Sequence, residues 1–338
     1  MAPNSLAAEL TALGVALAAA IALGVVWDLS ARRRRFAYRG TVLILCVCAA
    51  AATGLIWLNR QVAAYPTWAS LAESGKPPAD AAPPPRRAGG GHVETFTVEG
   101  RASGLTLTMY AYLPAGYQPG LRYPVIEALH GYPASPLQWL DSLDAVGVLD
   151  REIEAGRMAP TIVLFPYQTP KPSLDTECTN MANGPQTETF LTEDVPAFAA
   201  AHLPVRTDPG AWGLIGYSAG GFCAASLLMR HPDRYAAGAS LSGYPDPGIK
   251  VGDGTEHTTY NLVWRLRNMP VPAVSLYLAC ARTDRTALRG ATDLARLATA
   301  PMTVTTAFAD NGGHNAQTWA ASAPPAFAWL SARLARPV

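Results

Sequence analysis

Trp212-Gly213-Leu214-Ile215-Gly216-Tyr217-Ser218-Ala219-Gly220-Gly221, running on into Phe222-Cys223-Ala224-Ala225-Ser226-Leu227-Leu228-Met229-Arg230, decides how this chain is read. The apolar run 212–215 predicts a buried strand and residues 222–230 predict a helix. Between them, Ser218 is flanked by Gly216, Ala219, Gly220 and Gly221. A tight strand-to-helix turn needs such small neighbours if the serine Oγ is to stand clear of a sheet while the flanking backbones approach closely. Gly-x-Ser-x-Gly alone arises by chance in Gly-rich chains; the strand before and the helix after single this one out.

Outward from that turn, strand patterns occur at 93–98, 106–112, 125–129, 161–166, 212–216, 238–242, 274–279 and 303–307. Helical patterns fill 136–155, 188–202, 219–231, 287–298 and 315–335. Alternation of this kind predicts an α/β fold with a mostly parallel sheet of about eight strands flanked by helices, and the count and order suit an α/β-hydrolase. A serine hydroxyl is a poor nucleophile near neutral pH, so the turn requires a base, which in such a fold follows the last strand. His314 lies there, after the turn-rich Phe308-Ala309-Asp310-Asn311-Gly312-Gly313. His92, His202, His231 and His257 lie at the edge of a linker, at helix ends and in a polar loop, where solvation or capping is expected. The acid that orients the base belongs at the end of the strand between serine and histidine, which selects Asp284, with Asp310 as the rival. His130 ends a buried-looking strand at His130-Gly131-Tyr132 and is read as shaping the loop. The backbone N–H groups of Tyr132 and Ala219 are the expected oxyanion donors.

Only 15% of the 338 residues are charged, below the usual quarter for soluble domains, which points to a part of the chain in lipid. Residues 6–27 carry one charge, Glu9, and residues 41–58 none. About 20 apolar residues cross a hydrocarbon core of roughly 30 Å. Between the two runs lie Arg32, Arg33, Arg34, Arg35 and Arg39. The positive-inside rule makes that loop cytoplasmic and everything after residue 58 extracytoplasmic. A cleaved signal is the competing reading, but its cations would precede the apolar run. The expected organisation is a two-span membrane anchor (1–60), a Pro/Gly-rich linker (61–91) and a catalytic domain (92–338). A net charge of +1 gives no basic field for nucleic acid. Cys46 and Cys48 fall in the second apolar run, leaving Cys178, Cys223 and Cys280 for an oxidising compartment. Cys178 with Cys223 is the expected disulfide, although spacing leaves the connectivity open. No His, Cys or acidic cluster has metal spacing and no Gly-rich run has the phosphate-binding pattern, so no metal or cofactor is expected.

Four stretches carry a resemblance to a known family: His130-Gly131-Tyr132 with Trp139; Glu188-Thr189-Phe190-Leu191-Thr192-Glu193-Asp194-Val195-Pro196; His231-Pro232 with Leu241-Ser242-Gly243 and Asp246-Pro247; and Asn311-Gly312-Gly313-His314 with Trp319. Through them, residues 92–338 resemble the putative-esterase family of α/β-hydrolases, in particular the secreted mycolyltransferase and esterase D-like branch of actinobacteria. The resemblance implies a Ser218, Asp284, His314 triad. Ala219-Gly220-Gly221 stands where the mycolyltransferases have a Met-Ala pair, Ala316 where they have Trp, and His130-Gly131-Tyr132-Pro133 where they have Asp-Gly-Leu-Arg. Trehalose mycolate is therefore not implied as substrate. The expected function is a membrane-anchored extracytoplasmic serine esterase or acyltransferase acting on an acyl ester, of a lipid or an envelope glycolipid, through an acyl-enzyme. The alternatives are mycolyltransferase-like transfer to an envelope sugar or lipid and a catalytically silent envelope-binding protein on the same fold.

Overall fold

The computed structural model of the chain describes residues 2–3, 5–29, 35–62, 65, 68, 89–118, 120–171 and 173–338. Arg32, Arg33 and Arg34 and most of the expected linker lie outside the described residues. The chain divides into two compact units, Met1–Ser74 and Gly75–Val338.

In the first unit α1 (Leu6–Leu29) and α2 (Arg35–Val62) contain two apolar stretches, Leu6–Val25 and Phe36–Arg60, of 20 and 25 residues, each long enough to cross a bilayer. The second is longer than the uncharged run alone predicts, because the helix continues through Arg39 and Arg60 at its two ends. Glu9 near the start of α1 pairs with Arg60 near the end of α2 at 2.5 Å, so the helices are antiparallel.

In the second unit the strands are β1 (His92–Glu99), β2 (Thr106–Leu113), β3 (Val125–Leu129), β4 (Ile162–Pro166), β5 (Trp212–Tyr217), β6 (Ala237–Leu241), β7 (Ser275–Ala281) and β8 (Thr303–Ala309). They form one eight-stranded sheet in the order β1-β2-β4-β3-β5-β6-β7-β8. β2 is antiparallel to both β1 and β4, and every other pair is parallel. β3, β4 and β5 are buried along their whole length, as continuous apolar strands in a covered parallel sheet must be. The helices α3 (Ala145–Glu154), α4 (Val195–His202), α5 (Ala219–Arg230), α6 (Leu262–Asn268), α7 (Arg285–Leu297) and α8 (Ala316–Ser331) connect and cover the strands.

Two helices differ from the sequence expectation. The run expected over 136–155 opens as a π-helical turn, Gln138–Ser142, and breaks at Asp144, whose φ of 49° is left-handed, before α3 begins. The run expected over 188–202 is π-helical at Phe190–Asp194, just before Pro196, which has no N–H to give to the preceding turn. The seven-residue α6 was not expected, being too short for periodicity to register.

Because β2 is antiparallel to both its neighbours, β1 runs the same way as the parallel strands. The chain therefore enters this unit at the pole where those strands begin, with the Gly91 N–H donating to Asp150 Oδ1 at 2.8 Å. The last residue returns to the same pole: Val338 exchanges two backbone hydrogen bonds with Arg122, ahead of β3. The loops after β3, β5, β7 and β8 meet at the opposite pole, where ligand sites of such sheets form.

Glu127 of β3 is fully buried, and its Oε1 accepts from Tyr235 Oη at 3.1 Å. Burial pushes its carboxyl up to about 8, against the smaller opposing pull of Tyr235 and Arg234. The native state thus keeps a proton that the unfolded chain releases near pH 4.5, and stability falls as pH rises from there towards about 8. Glu127→Gln removes that titration. In thermal melts its Tm should match wild type below pH 4.5 and exceed it above pH 8, by about 2–4 °C for each kcal/mol relieved. An equal gap at both pH values would contradict this.

Candidate active site

Ser218 leaves β5 with φ 55° and ψ −121°, a conformation that costs a non-glycine residue about 1–3 kcal/mol. Its neighbours are small because the backbones touch. A Cβ on Gly216 would stand 2.0 Å from the Gly220 carbonyl oxygen, and one on Gly220 would stand 2.2 Å from that of Leu129. The turn thus holds the start of α5 against the ends of both β5 and β3. The Ser218 residue is 8% exposed, enough for its hydroxyl to meet a substrate.

Residues far apart in sequence converge on that hydroxyl. Ser218 Oγ lies 2.8 Å from His314 Nε2, and His314 Nδ1 lies 2.7 Å from Asp284 Oδ2. With a carboxylate at Nδ1 that nitrogen carries the proton, which leaves Nε2 as acceptor for the serine O–H. The Asp284 side chain is 6% exposed and that of His314 43%, so the carboxyl is sheltered while the imidazole faces solvent. Asp284 also caps α7, Oδ1 accepting from the Ala287 N–H at 3.3 Å, which orients the other oxygen towards the histidine. The Thr283 hydroxyl donates to the Gly312 carbonyl at 2.8 Å and ties the two loops together. The His314 ring stands edge-on to Trp319, centroids 5.2 Å apart, and Trp319 stacks on Tyr217 at 4.7 Å. The rival Asp310 is 87% exposed and pairs with Arg282 Nε at 3.1 Å.

Tyr132 follows β3 through His130-Gly131, and a Cβ on Gly131 would lie 3.4 Å from Ser218 Cβ, so this loop passes beside the serine. Ala219 opens α5, and amides in a first helical turn have no intrahelical acceptor. His130 is held by backbone groups rather than facing Ser218's partners. It is fully buried, Nδ1–H donates to the Gly131 carbonyl at 2.8 Å, and Nε2 accepts from the Gln168 N–H at 3.3 Å. Burial lowers its pKa to about 4, so the ring is neutral. Cys178 and Cys223 are bonded, with Cα atoms 5.6 Å apart, which fastens the loop after β4 to α5; Cys280 is a buried free thiol. Among the described residues no group of three or more His, Cys, Asp or Glu is placed to hold a metal ion.

Three features escaped the sequence reading. His231, expected to be solvated or capping, lies 2.7 Å from buried Glu188, which also holds Arg230 and Tyr260. Glu177, beside the disulfide, is buried and accepts from Tyr244; burial and then the charge of Asp175 hold its carboxyl well above the usual range. Gln168, two residues past β4, bonds the backbone of His130. All three depend on contacts between distant segments. None of the three has a local signal, since Glu188 stands in a stretch that also holds Thr187, Thr189, Thr192, Glu193 and Asp194.

The sequence model of the Putative esterase family matches residues 101–333. An uncharacterized protein of Corynebacterium glutamicum is 25% identical over 246 residues, 66% of this chain and 57% of that protein. The diacylglycerol acyltransferase/mycolyltransferase Ag85A of Mycobacterium gordonae is 37% identical over 65 residues, 19% of each chain. The chain thus spans little more than half the length of the first relative and a fifth of the second. Among solved structures, a ferulic acid esterase superposes with a TM-score of 0.63 at 19% identity, covering 72% of this chain and 99% of that one. An S-formylglutathione hydrolase from Agrobacterium tumefaciens gives 0.62 at 15%, covering 74% and 98%. At these identities the structural likeness speaks for the α/β-hydrolase fold alone.

Proposed function

The chain belongs to the Putative esterase family, and from that premise we propose that it is a serine carboxylic-ester hydrolase or acyltransferase working through an acyl-enzyme on Ser218. The observation that carries this reading is the hydrogen-bond chain from Ser218 through His314 to Asp284, at 2.8 and 2.7 Å. Ser218 Oγ attacks the ester carbonyl as His314 Nε2 takes its proton. The amides of Tyr132 and Ala219 receive the oxyanion, aided by the positive end of α5. Asp284 stabilises the imidazolium, which then protonates the leaving alcohol; water or a second alcohol releases the acyl group by the reverse steps.

The two apolar helices support a membrane anchor of two spans, with residues 61–91 as tether and 92–338 as an extracytoplasmic catalytic domain. The Cys178–Cys223 bond fits an oxidising compartment. Anchoring beside a bilayer favours an acyl ester of a lipid or envelope glycolipid. Similarity to the Mycobacterium gordonae acyltransferase over 65 residues favours a second reading, transfer to an envelope sugar or lipid alcohol.

Full-length protein in detergent, given a p-nitrophenyl acyl ester with and without glycerol, tests both. Hydrolysis yields free acid in either case. Transfer yields acylglycerol as the main product, with phenolate release accelerated if deacylation limits turnover. A folded protein that releases no phenolate would refute the enzyme and leave an envelope-binding role.

A further inference from the structure

We propose that Gln168 is a positioning residue for the oxyanion loop, holding the end of β3 at the point where the chain turns towards Tyr132. This rests on the acyl-transfer reading above, with the Tyr132 amide as one donor.

β3 needs such a support. Its ladder with β4 ends at the pair Glu127↔Leu164, whereas its ladder with β5 continues to Leu129↔Gly216. His130 therefore leaves the sheet with its backbone unsupported on the β4 side. The Gln168 side chain supplies both missing bonds. Its Oε1 accepts from the His130 N–H at 2.9 Å, and its Nε2 donates to the His130 carbonyl at 2.6 Å. The Gln168 main-chain N–H adds a third bond, to His130 Nε2 at 3.3 Å. One amide thus replaces a strand neighbour, and the His130 ring, gripped by the same residue, reaches forward to the Gly131 carbonyl at 2.8 Å.

Gln168 is itself held. Its carbonyl accepts from the Thr176 hydroxyl at 2.8 Å, and its Nε2 lies 3.7 Å from Cys223 Sγ, in the disulfide that ties this loop to α5. Both expected oxyanion donors, on Tyr132 and Ala219, are thereby referred to one rigid block. Both His130 and Gln168 are buried, so water does not substitute for a lost bond. A donor that shifts by a fraction of an ångström stabilises the oxyanion less without weakening ground-state binding, because the charge develops only in the transition state.

The test uses full-length protein and two variants. A trifluoromethyl ketone reports the oxyanion directly: Ser218 Oγ bonds to its carbonyl carbon, the serine proton passes to His314, and the former carbonyl oxygen becomes the anion. Gln168→Met keeps the volume and removes both side-chain bonds. It should lower kcat about 10–100-fold, short of the about 10²–10³-fold of deleting a donor, with KM within about twofold. Ketone affinity should fall by the same factor. Gln168→Glu keeps the acceptor and donates to the His130 carbonyl only when the introduced carboxyl is protonated. Its kcat relative to wild type at the same pH should rise towards unity as pH falls.

A folded Gln168→Met protein with kcat and ketone affinity within about twofold of wild type would overturn the proposal and leave Gln168 a fold-stabilising residue only. If that variant does not fold, the Gln168→Glu series decides, a pH-independent ratio being the overturning result. Wild-type protein that neither turns over ester nor binds the ketone would instead overturn the acyl-transfer reading, and this inference with it.

Discussion

Ser218→Ala should lower kcat for ester turnover by about 10⁴–10⁶-fold and remove all labelling by a fluorophosphonate. The loss should be clean. Alanine tolerates the φ of 55° no worse than serine, and the space around the residue is unchanged, so Tm should stay within a degree or two of wild type. Intact-mass analysis of the full-length protein reads the result: one adduct on wild type and none on Ser218→Ala. His314→Ala should slow labelling steeply, because the hydroxyl loses its acceptor at 2.8 Å. Asp284→Asn should cost about 10⁴-fold, since an amide at Nδ1 favours the wrong tautomer. An adduct that persists on Ser218→Ala would put the nucleophile elsewhere. None on folded wild type would mean that the elbow is not activated.

Glu188→Ala should be the most destabilising single change outside the site, at about 3–5 kcal/mol, the usual cost of breaking a buried ion pair. Glu188 Oε1 accepts from Arg230 Nε at 2.8 Å and His231 Nε2 at 2.7 Å, while Oε2 accepts from Arg230 Nη2 at 3.1 Å and from the Tyr260 hydroxyl. Removing the carboxylate leaves Arg230 beneath Tyr260 with no counter-charge. Burial alone would raise the Glu188 pKa, but the bonds from His231, Arg230 and Tyr260 outweigh it and hold the group down at about 2. A depressed acid stabilises the fold fully above its unfolded pKa, near 4.5, and the benefit is lost as pH falls towards about 2. Melts should therefore show a Tm deficit of about 6–20 °C for Glu188→Ala at pH 7. The deficit should narrow below pH 4.5, and one that does not change with pH would argue that packing, not charge, is what was lost.

Legibility divides by range of interaction. The turn at Ser218 was readable because everything that makes it, the strand, the glycines and the helix, is contiguous. That His314 and Asp284 lie beside Ser218 was readable because the order of strands constrains which loops meet at that pole. Asp310 was separable only in three dimensions, where it turns to Arg282. The helix breaks at Asp144 and before Pro196 follow from backbone geometry that hydrophobic periodicity averages away. Gln168 and Glu188 were invisible for a different reason. Their partners lie 38 and at least 42 residues away, and neither glutamine beyond a strand nor glutamate in a helix announces what it will bond.

The stitch between Val338 and Arg122, and the entry of β1 at the same pole, have a practical consequence for handling the protein. Both ends of the sheet-bearing unit emerge where the parallel strands begin, a full strand length from the serine. A reporter fused to either end, or a bead that grips the chain through one, leaves the loops around Ser218 open to bulk solvent. A circular permutant that joins the two ends makes its new link at the pole opposite Ser218.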